Sequence, residues 1–319
     1  MLLLQKILGM EQIIEPVDKS LILEELTQEK FVRETNNGGN LLYIITAHNS
    51  PNTMREIGRL RELSFRSAGG GTGKSIDIDK YDTSDIPYKQ LIVWDPKDNE
   101  ILGGYRFHYV GAGEEMHLST TALFNFSEKF KKEYIPQMIE LGRSFVQPRY
   151  QSAQRRAKGL YALDNLWDGL GALVVLNPGI KYFFGKVTMY KQYNQKARNI
   201  LLYFMEKYFS DNEQLVTPIT PMEVDIDRDE MSKLFSGSDY KEDYKILSKE
   251  IRNLGENIPP LINSYMNISP SMKVFGTVVN PYFGNVEETG IMITISDIYQ
   301  NKFDRHILSF IKRKIKRKL

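Results

Sequence analysis

Charged side chains set inside apolar stretches mark where this sequence can do chemistry. Arg106 interrupts "GGYRFHY", and Glu140 and Arg143 lie three apart within "IELGRSFV". Asp77, Asp79 and Asp82 alternate with Ile76, Ile78 and Tyr81, which puts the acids along one side of an extended segment. An ionised group in a core strand requires a partner, and acids and arginines satisfy one another. On these residues alone two readings stay open. They form a structural ion-pair network that ties strands together, or a site that recognises a charged amine.

A second cluster, "SAGGGTGKS" at 67–75, fits the looser phosphate-loop pattern Ala/Gly-x4-Gly-Lys-Ser/Thr over 68–75. Such a loop grips a phosphate when it joins a buried strand to the N-terminus of a helix. Here the order is reversed. "TMREIGRLRELSFR" (53–66) places Ile57, Leu60 and Leu63 on a helical stripe upstream, and "SIDIDKYDTSD" (75–85) reads as extended downstream. The loop is therefore expected to bind no nucleotide. Its glycines suit a mobile flap beside a pocket, or an ordinary loop tip.

The elements that must hold these residues follow from periodicity. Residues 1–35 read as helical and charged, closed by the turn signal "ETNNGGN" (34–40). Strands are expected at 41–47, at 90–95 and 100–110 as a hairpin, at the end of 135–146, and at 180–190. Helices are expected over 53–66, about 152–176 and 193–209, the second with Leu160, Leu163, Leu166, Trp167, Leu170 and Leu173 as its apolar face. A polar excursion (211–237), helices near 239–255 and 259–267, and strands at 273–280 and 290–298 complete the chain. The order is that of a mixed α/β protein with antiparallel pieces, not a doubly wound nucleotide fold.

Composition narrows the chemistry. The chain of 319 residues holds no Cys, which excludes disulfides, thiolate catalysis and cysteine-ligated metals. No two of its four His have metal-ligand spacing on a helix, so no metal is expected. No segment reaches the roughly 20 apolar residues that span a bilayer, and "MLLLQKILGM" reads as an amphipathic helix rather than a signal peptide. The net charge of +2 is uneven, because "KRKIKRK" (312–318) carries six basic residues and the remainder is acidic. A basic end on an acidic body suits an anionic membrane surface. Ile307, Leu308, Phe310, Ile311 and Ile315 would give that end an apolar edge. The expected address is the cytoplasm, peripheral on the inner membrane face, with no nucleic-acid partner.

Four separated elements, Arg61-x3-Phe65, Asp77-x-Asp79-x-x-Asp82, "LIVWD…ILGGYR" and "ELGRSFV", occur in the order of a known family. Over residues 40–190 or so, and more weakly over 258–276, the chain resembles the GNAT-fold acyltransferases that use acyl-carrier-protein thioesters. Among them are the acyl-homoserine-lactone autoinducer synthases. Closer is the branch of ornithine- and glycine-lipid N-acyltransferases that carries the label hemolysin. The resemblance implies a mixed central sheet flanked by helices, with a helical excursion before the last two strands. It further implies an N-terminal helical extension (1–38), a GNAT-like domain (39–300) with a helical insertion (211–270), and a basic tail (301–319).

The resemblance also assigns roles. Arg61, Phe65, Asp77, Arg106 and Arg143 would bind the acceptor. Glu140, on the strand expected to border the thioester, would take the proton of the acceptor amine, with Asp79 and Asp82 as the alternative catalytic acids and as attractors of the ammonium. Gly142, Ser144, Phe145 and Val146 would line the donor, with backbone N–H groups near Gly142 meeting the oxyanion. Arg149, Arg155 and Arg156 at the start of the long helix would receive the donor's phosphate. No cofactor would stay bound. The donor would be acyl-carrier protein or acyl-CoA, and the acceptor glycine or ornithine. The alternatives are a GNAT transferase using acetyl- or acyl-CoA with another small amine, and a membrane-active hemolysin. The synthases' aromatic-rich loop is replaced here by "SAGGGTGKS", which leaves the acceptor open.

Overall fold

The computed structural model describes residues 9–111, 116–151 and 156–316, except the side chains of 156–160 and 316. Its centre is set by strands that are apolar on both faces. β3 (Lys89–Asp95) is buried from Gln90 onward, and β4 (Glu100–Tyr109) from Ile101 to His108. Before them come helix α1 (Lys19–Glu25), β1 (Phe31–Glu34), β2 (Leu41–Ile45), helix α2 (Pro51–Ser67) and the single turn α3 (Lys80–Thr83). After them come β5 (Phe124–Phe126), β6 (Met138–Val146), helix α4 (Arg156–Leu176), β7 (Tyr182–Met189) and helix α5 (Gln195–Phe209). Then follow β8 (Val216–Pro218), helices α6 (Arg228–Leu234), α7 (Tyr240–Asn253) and α8 (Pro260–Met266), and strands β9 (Lys273–Asn280) and β10 (Val286–Thr294). A helical run, α9, covers 300–316.

Eight strands make one sheet in the order β1-β2-β3-β4-β6-β7-β10-β9, and β5 pairs with β8 apart from it. Helix α2 packs Ile57, Leu60 and Phe65 on one face, against Ile45, Ile92 and Trp94. Helices α4 and α5 cover the other through Leu166, Leu170, Leu201 and Phe204. This is the mixed α/β architecture expected.

Every neighbouring pair in the large sheet is antiparallel except β6–β7. That parallel pairing runs from Met138↔Tyr182 to Leu141↔Gly185 and stops. At its last pair a Cβ on Gly185 would lie 2.6 Å from the Leu141 carbonyl oxygen, so glycine is required for the approach. Beyond it β6 stays with β4 and β7 with β10, and the sheet parts between Gly142 and Lys186. A bulge helps the parting. Arg106 pairs with Gly142 and Gly104 with Phe145, three steps on β6 against two on β4. Within it Arg143 takes a φ of +52°.

Several stretches depart from expectation. Among residues 9–38 only Lys19–Glu25 is helical, and Phe31–Glu34 is an edge strand paired with β2. Four residues that include Arg33 and Glu34 are too few to display alternation. Residues 1–8 lie outside the described residues. The segment after the glycine loop is not extended throughout: Asp79 caps a helical turn by accepting from Tyr81 N (2.9 Å), while Asp82 accepts from Asp79 N (3.1 Å). The polar stretch 211–237 contains β8. β10 begins at Val286, because Glu287 and Glu288 are neutralised in the sheet by Arg198 and Lys186.

The C-terminal segment is docked rather than a free tail. His306 Nδ1 lies 2.8 Å from Asp168 Oδ1, and Arg305 bonds Asp164 at 2.8 Å, both acids on α4. Ile307 and Phe310 are buried, so the outward apolar edge expected of them is spent on the protein, and only Ile315 is well exposed. Residues 317–319 and the Lys316 side chain lie outside the described residues. Among the described residues no helix is long and apolar enough to cross a membrane.

Candidate active site

Three arginines and three aspartates meet on the α2 face of the sheet. Arg61, fully buried on α2, reaches both oxygens of Asp82 at 3.3 Å and donates to Gln90. Arg106 on β4 donates to Asp79 (2.7 Å) and Asp82 (3.2 Å). Arg143 lies 2.8 Å from Asp77 as an ion pair without hydrogen-bond alignment, and 3.8 Å from Asp79. Burial alone would raise the Asp82 carboxyl, but Arg61 and Arg106 win and hold it well below the usual carboxylate range. Burial lowers the Arg61 guanidinium, and Asp82 and Asp77 only partly offset it. For Arg106 burial is outweighed by Asp82 and Asp79, which hold it above the ordinary arginine value. The network is neutral overall. Asp79, 31% exposed, is its most accessible acid.

The sequence-predicted residues Arg61, Asp77, Asp79, Asp82, Arg106 and Arg143 are thus brought together. Glu140 is not among them. It is fully buried and takes donors from Ser119 N (3.0 Å), Ser119 Oγ (3.1 Å), Thr120 N (2.9 Å) and the Tyr88 hydroxyl. Neither Glu140 nor the three aspartates lie on the cavity wall described next. Glu140, expected as a proton acceptor facing substrate, here has both carboxylate oxygens turned to the 118–122 turn and Tyr88. It anchors the 118–122 turn, and the turn's Ser119 reaches the wall instead.

A cavity of about 620 Å³ passes through the parting of β6 and β7. On the α4 side it is apolar, walled by Leu163, Leu166, Trp167 and Leu170 with Leu261 and Tyr265 from the α8 region. On the α2 side it is ionic, walled by Arg106, Arg143, Lys186 and Glu288 beside Phe65 and Phe283. Strand pairing puts Arg106, Gly142, Lys186 and Glu288 on one face of the sheet. Arg143 lies under the Phe283 ring (4.2 Å to its centre), which meets Phe65 edge-on at 5.0 Å. Gly142, Ser144, Phe145 and Val146 line the cavity. A Cβ at Gly142 would meet Arg106 Nε at an ordinary 3.6 Å, so the glycine keeps the wall clear rather than relieving a clash. Arg149 is half exposed and paired with Glu100; it is not on the cavity wall, although the adjacent Tyr150 and Gln151 are. Arg155 and the Arg156 side chain lie outside the described residues.

Lys186 and Glu288 went unnoticed in the sequence. They form a 2.8 Å ion pair, Asn280 Nδ2 donates to the same Glu288 oxygen at 2.9 Å, and both side chains are nearly buried. Burial and Glu288 push the neighbouring Tyr190 phenol up to about 12. The available signal was one charge in the apolar strand "YFFGKVTM" and two adjacent acids at the start of "VEETGIMIT".

The glycine loop is not a flap. It is wound around the buried Glu62 carboxylate, which accepts from Thr72 N (3.0 Å), Thr72 Oγ1 (2.7 Å) and Gly73 N (2.8 Å). Residues 11–14 cross it through Glu11 N to Gly73 O (2.8 Å) and Ile14 N to Ser75 O (3.2 Å). Its Gly70 packs on Gly284, where φ is +76° and a Cβ would lie 3.0 Å from Gly70 Cα. The loop thereby buttresses the turn that carries Phe283 over Arg143.

A mixed sheet that parts at its one parallel pair, with an apolar-to-ionic cavity through the parting, is the frame of a GNAT-type acyltransferase. The family model of the acetyltransferase (GNAT) domain matches residues 60–160. The chain is 56% identical over 308 residues to the glycine N(alpha)-acyltransferase of Bacteroides thetaiotaomicron, covering 95% of this chain and 91% of that one. It is 53% identical over 312 residues to the protein of the same name from Phocaeicola vulgatus, covering 95% of each. The chain belongs to this family of GNAT N-acyltransferases, and it is an enzyme that transfers an acyl group to an amine. No solved structure matches it.

Proposed function

We propose that this acyltransferase moves a long 3-hydroxyacyl chain from acyl-carrier protein to the amine of glycine, making a lyso-aminolipid. The observation that carries this reading is the two-sided cavity. An acetyl group would leave most of its apolar arm empty, whereas each methylene buried there stabilises the bound donor by ~0.8 kcal/mol. The ionic arm suits a small zwitterion, with Arg106 and Arg143 gripping its carboxylate. The names of the two relatives favour glycine over ornithine as acceptor.

The reaction forms a C–N bond and breaks a C–S bond: thioester plus glycinium gives N-acylglycine, free thiol and one proton. At neutral pH the amine is mostly ammonium, so a carboxylate must take a proton before attack. The tetrahedral oxyanion needs fixed donors. Arg143 and Ser144 fall in the bulge, outside the β4–β6 register and past the last β6–β7 pair, and their N–H groups are assigned that role.

The test is purified protein with matched long-chain acyl-carrier protein and acyl-CoA, each offered glycine and ornithine, with products read by mass spectrometry. N-acylglycine formed faster from the carrier protein is expected. Transfer to neither amino acid overturns the acceptor, and faster transfer from CoA overturns the donor. The short-chain, CoA-dependent alternative predicts the latter.

A further inference from the structure

Among the described residues, Glu288 is the one carboxylate on the cavity wall. Its Oε2 is fixed by Asn280 (2.9 Å) and Lys186 (2.8 Å), and no hydrogen bond from another described residue reaches Oε1. Lys186 is the first β7 residue past the last β6–β7 pair, so the couple stands where the sheet parts. The other acids nearby are committed: Asp82 to two arginines, Asp77 to Arg143, Glu140 to the 118–122 turn. Asp79 already faces Arg106 and caps α3.

We propose that Glu288, oriented by Asn280 and Lys186, binds the acceptor's ammonium and takes its proton. This rests on the amine acylation proposed above. The arginine side of the wall then faces the acceptor's carboxylate and the glutamate side its nitrogen, which fixes the direction in which a small amino acid lies. Glu288 accepts one proton from the ammonium and passes it to solvent. The freed nitrogen attacks the thioester carbon. Its second proton leaves with the departing sulfur, so charge and atoms balance. Burial strengthens the attraction, because little water screens the carboxylate. Lys186 holds Glu288 Oε2 at 2.8 Å and so fixes the side chain's orientation.

Glu288→Gln keeps size and shape but cannot accept a proton. With glycine its kcat/KM should fall about 100-fold at neutral pH, and the deficit should shrink as rising pH supplies free amine. Aminooxyacetate offers the same carboxylate and a nitrogen that is already uncharged at neutral pH. On that acceptor the variant should lose less than about ten-fold, which also shows that it is folded. Equal losses on both acceptors, or none on either, would overturn the assignment. If wild-type protein acylates neither compound, the glycine reading falls and this assignment with it. A wild type that acylates both, beside a variant whose two losses match, sinks the assignment alone.

Discussion

Glutamine at position 140 separates an anchoring carboxylate from a catalytic one. Glu140 holds Tyr88, two groups of Ser119 and the Thr120 amide. Hydrogen bonds to a buried charge contribute ~1.5–3 kcal/mol each, and a donor left facing an amide NH2 costs ~1–3 kcal/mol. Glutamine keeps one oxygen for the three donors on Oε2 and turns its NH2 toward Thr120 N. The expected loss is about 3–5 kcal/mol of stability. At ~2.1 cal/mol/K per residue, a chain of 319 residues loses Tm by roughly 1.5 °C per kcal/mol, so melting should fall by about 4.5–7.5 °C. Catalysis should suffer indirectly, through displacement of Ser119, by less than about ten-fold in kcat and with no change in the shape of the pH profile. Differential scanning fluorimetry and steady-state kinetics across pH read both quantities. A Tm within 1 °C of wild type, with kcat down about 100-fold, would refute the reasoning and return the proton to Glu140.

Three other outcomes are expected. Asp82's folded pKa is depressed, so its stabilisation is complete above the unfolded value of about 3.9 and fades as pH falls toward the lower folded value. The Tm gap between wild type and Asp82→Asn should accordingly be wide at pH 7 and narrow below pH ~4, and a gap constant with pH would deny the ion pairing. Leu170→Trp should narrow the apolar arm and shorten the preferred acyl chain, with kcat/KM falling about four-fold for each methylene excluded. An unchanged chain-length profile would put the acyl group elsewhere. Deleting 312–319 should abolish sedimentation with anionic vesicles, since six basic residues contribute ~1 kcal/mol each. With Ile307 and Phe310 buried, binding of the full chain should also vanish at high salt. Equal sedimentation of both proteins would end the membrane proposal.

The arginine–aspartate network was legible because a charge inside an apolar strand has few ways to exist, and Arg106 and Arg143 each sit in one. The sheet's centre was legible for the same reason, since β3 and β4 carry little besides core residues. Glu140 stands out in its apolar strand for the same reason, but its hydrogen-bond partners do not. Its partners come from 20, 21 and 52 positions away, and two of the donors are backbone N–H groups, which leave no mark in a sequence. Glu288 was hidden in "NVEETG", where two adjacent acids read as a turn. Its partner Lys186 is 102 positions off and adjacent only through the β7–β10 register. Glu62 was hidden by Arg66 four residues on, which looks like a solvated helix pair.

Glu62 and its loop amount to an anion receptor that carries its own anion. Backbone amides arranged as in a phosphate nest are in place, yet the seat is occupied by a tethered competitor. A free phosphate must displace a carboxylate that never diffuses away, and would strand it, desolvated, beside the newcomer. Occupancy, not geometry, decides what such a loop binds. A glycine-rich pattern ending in Lys-Ser describes the receptor alone. Whether it is vacant depends on an acid elsewhere in the chain, here ten residues upstream on the preceding helix.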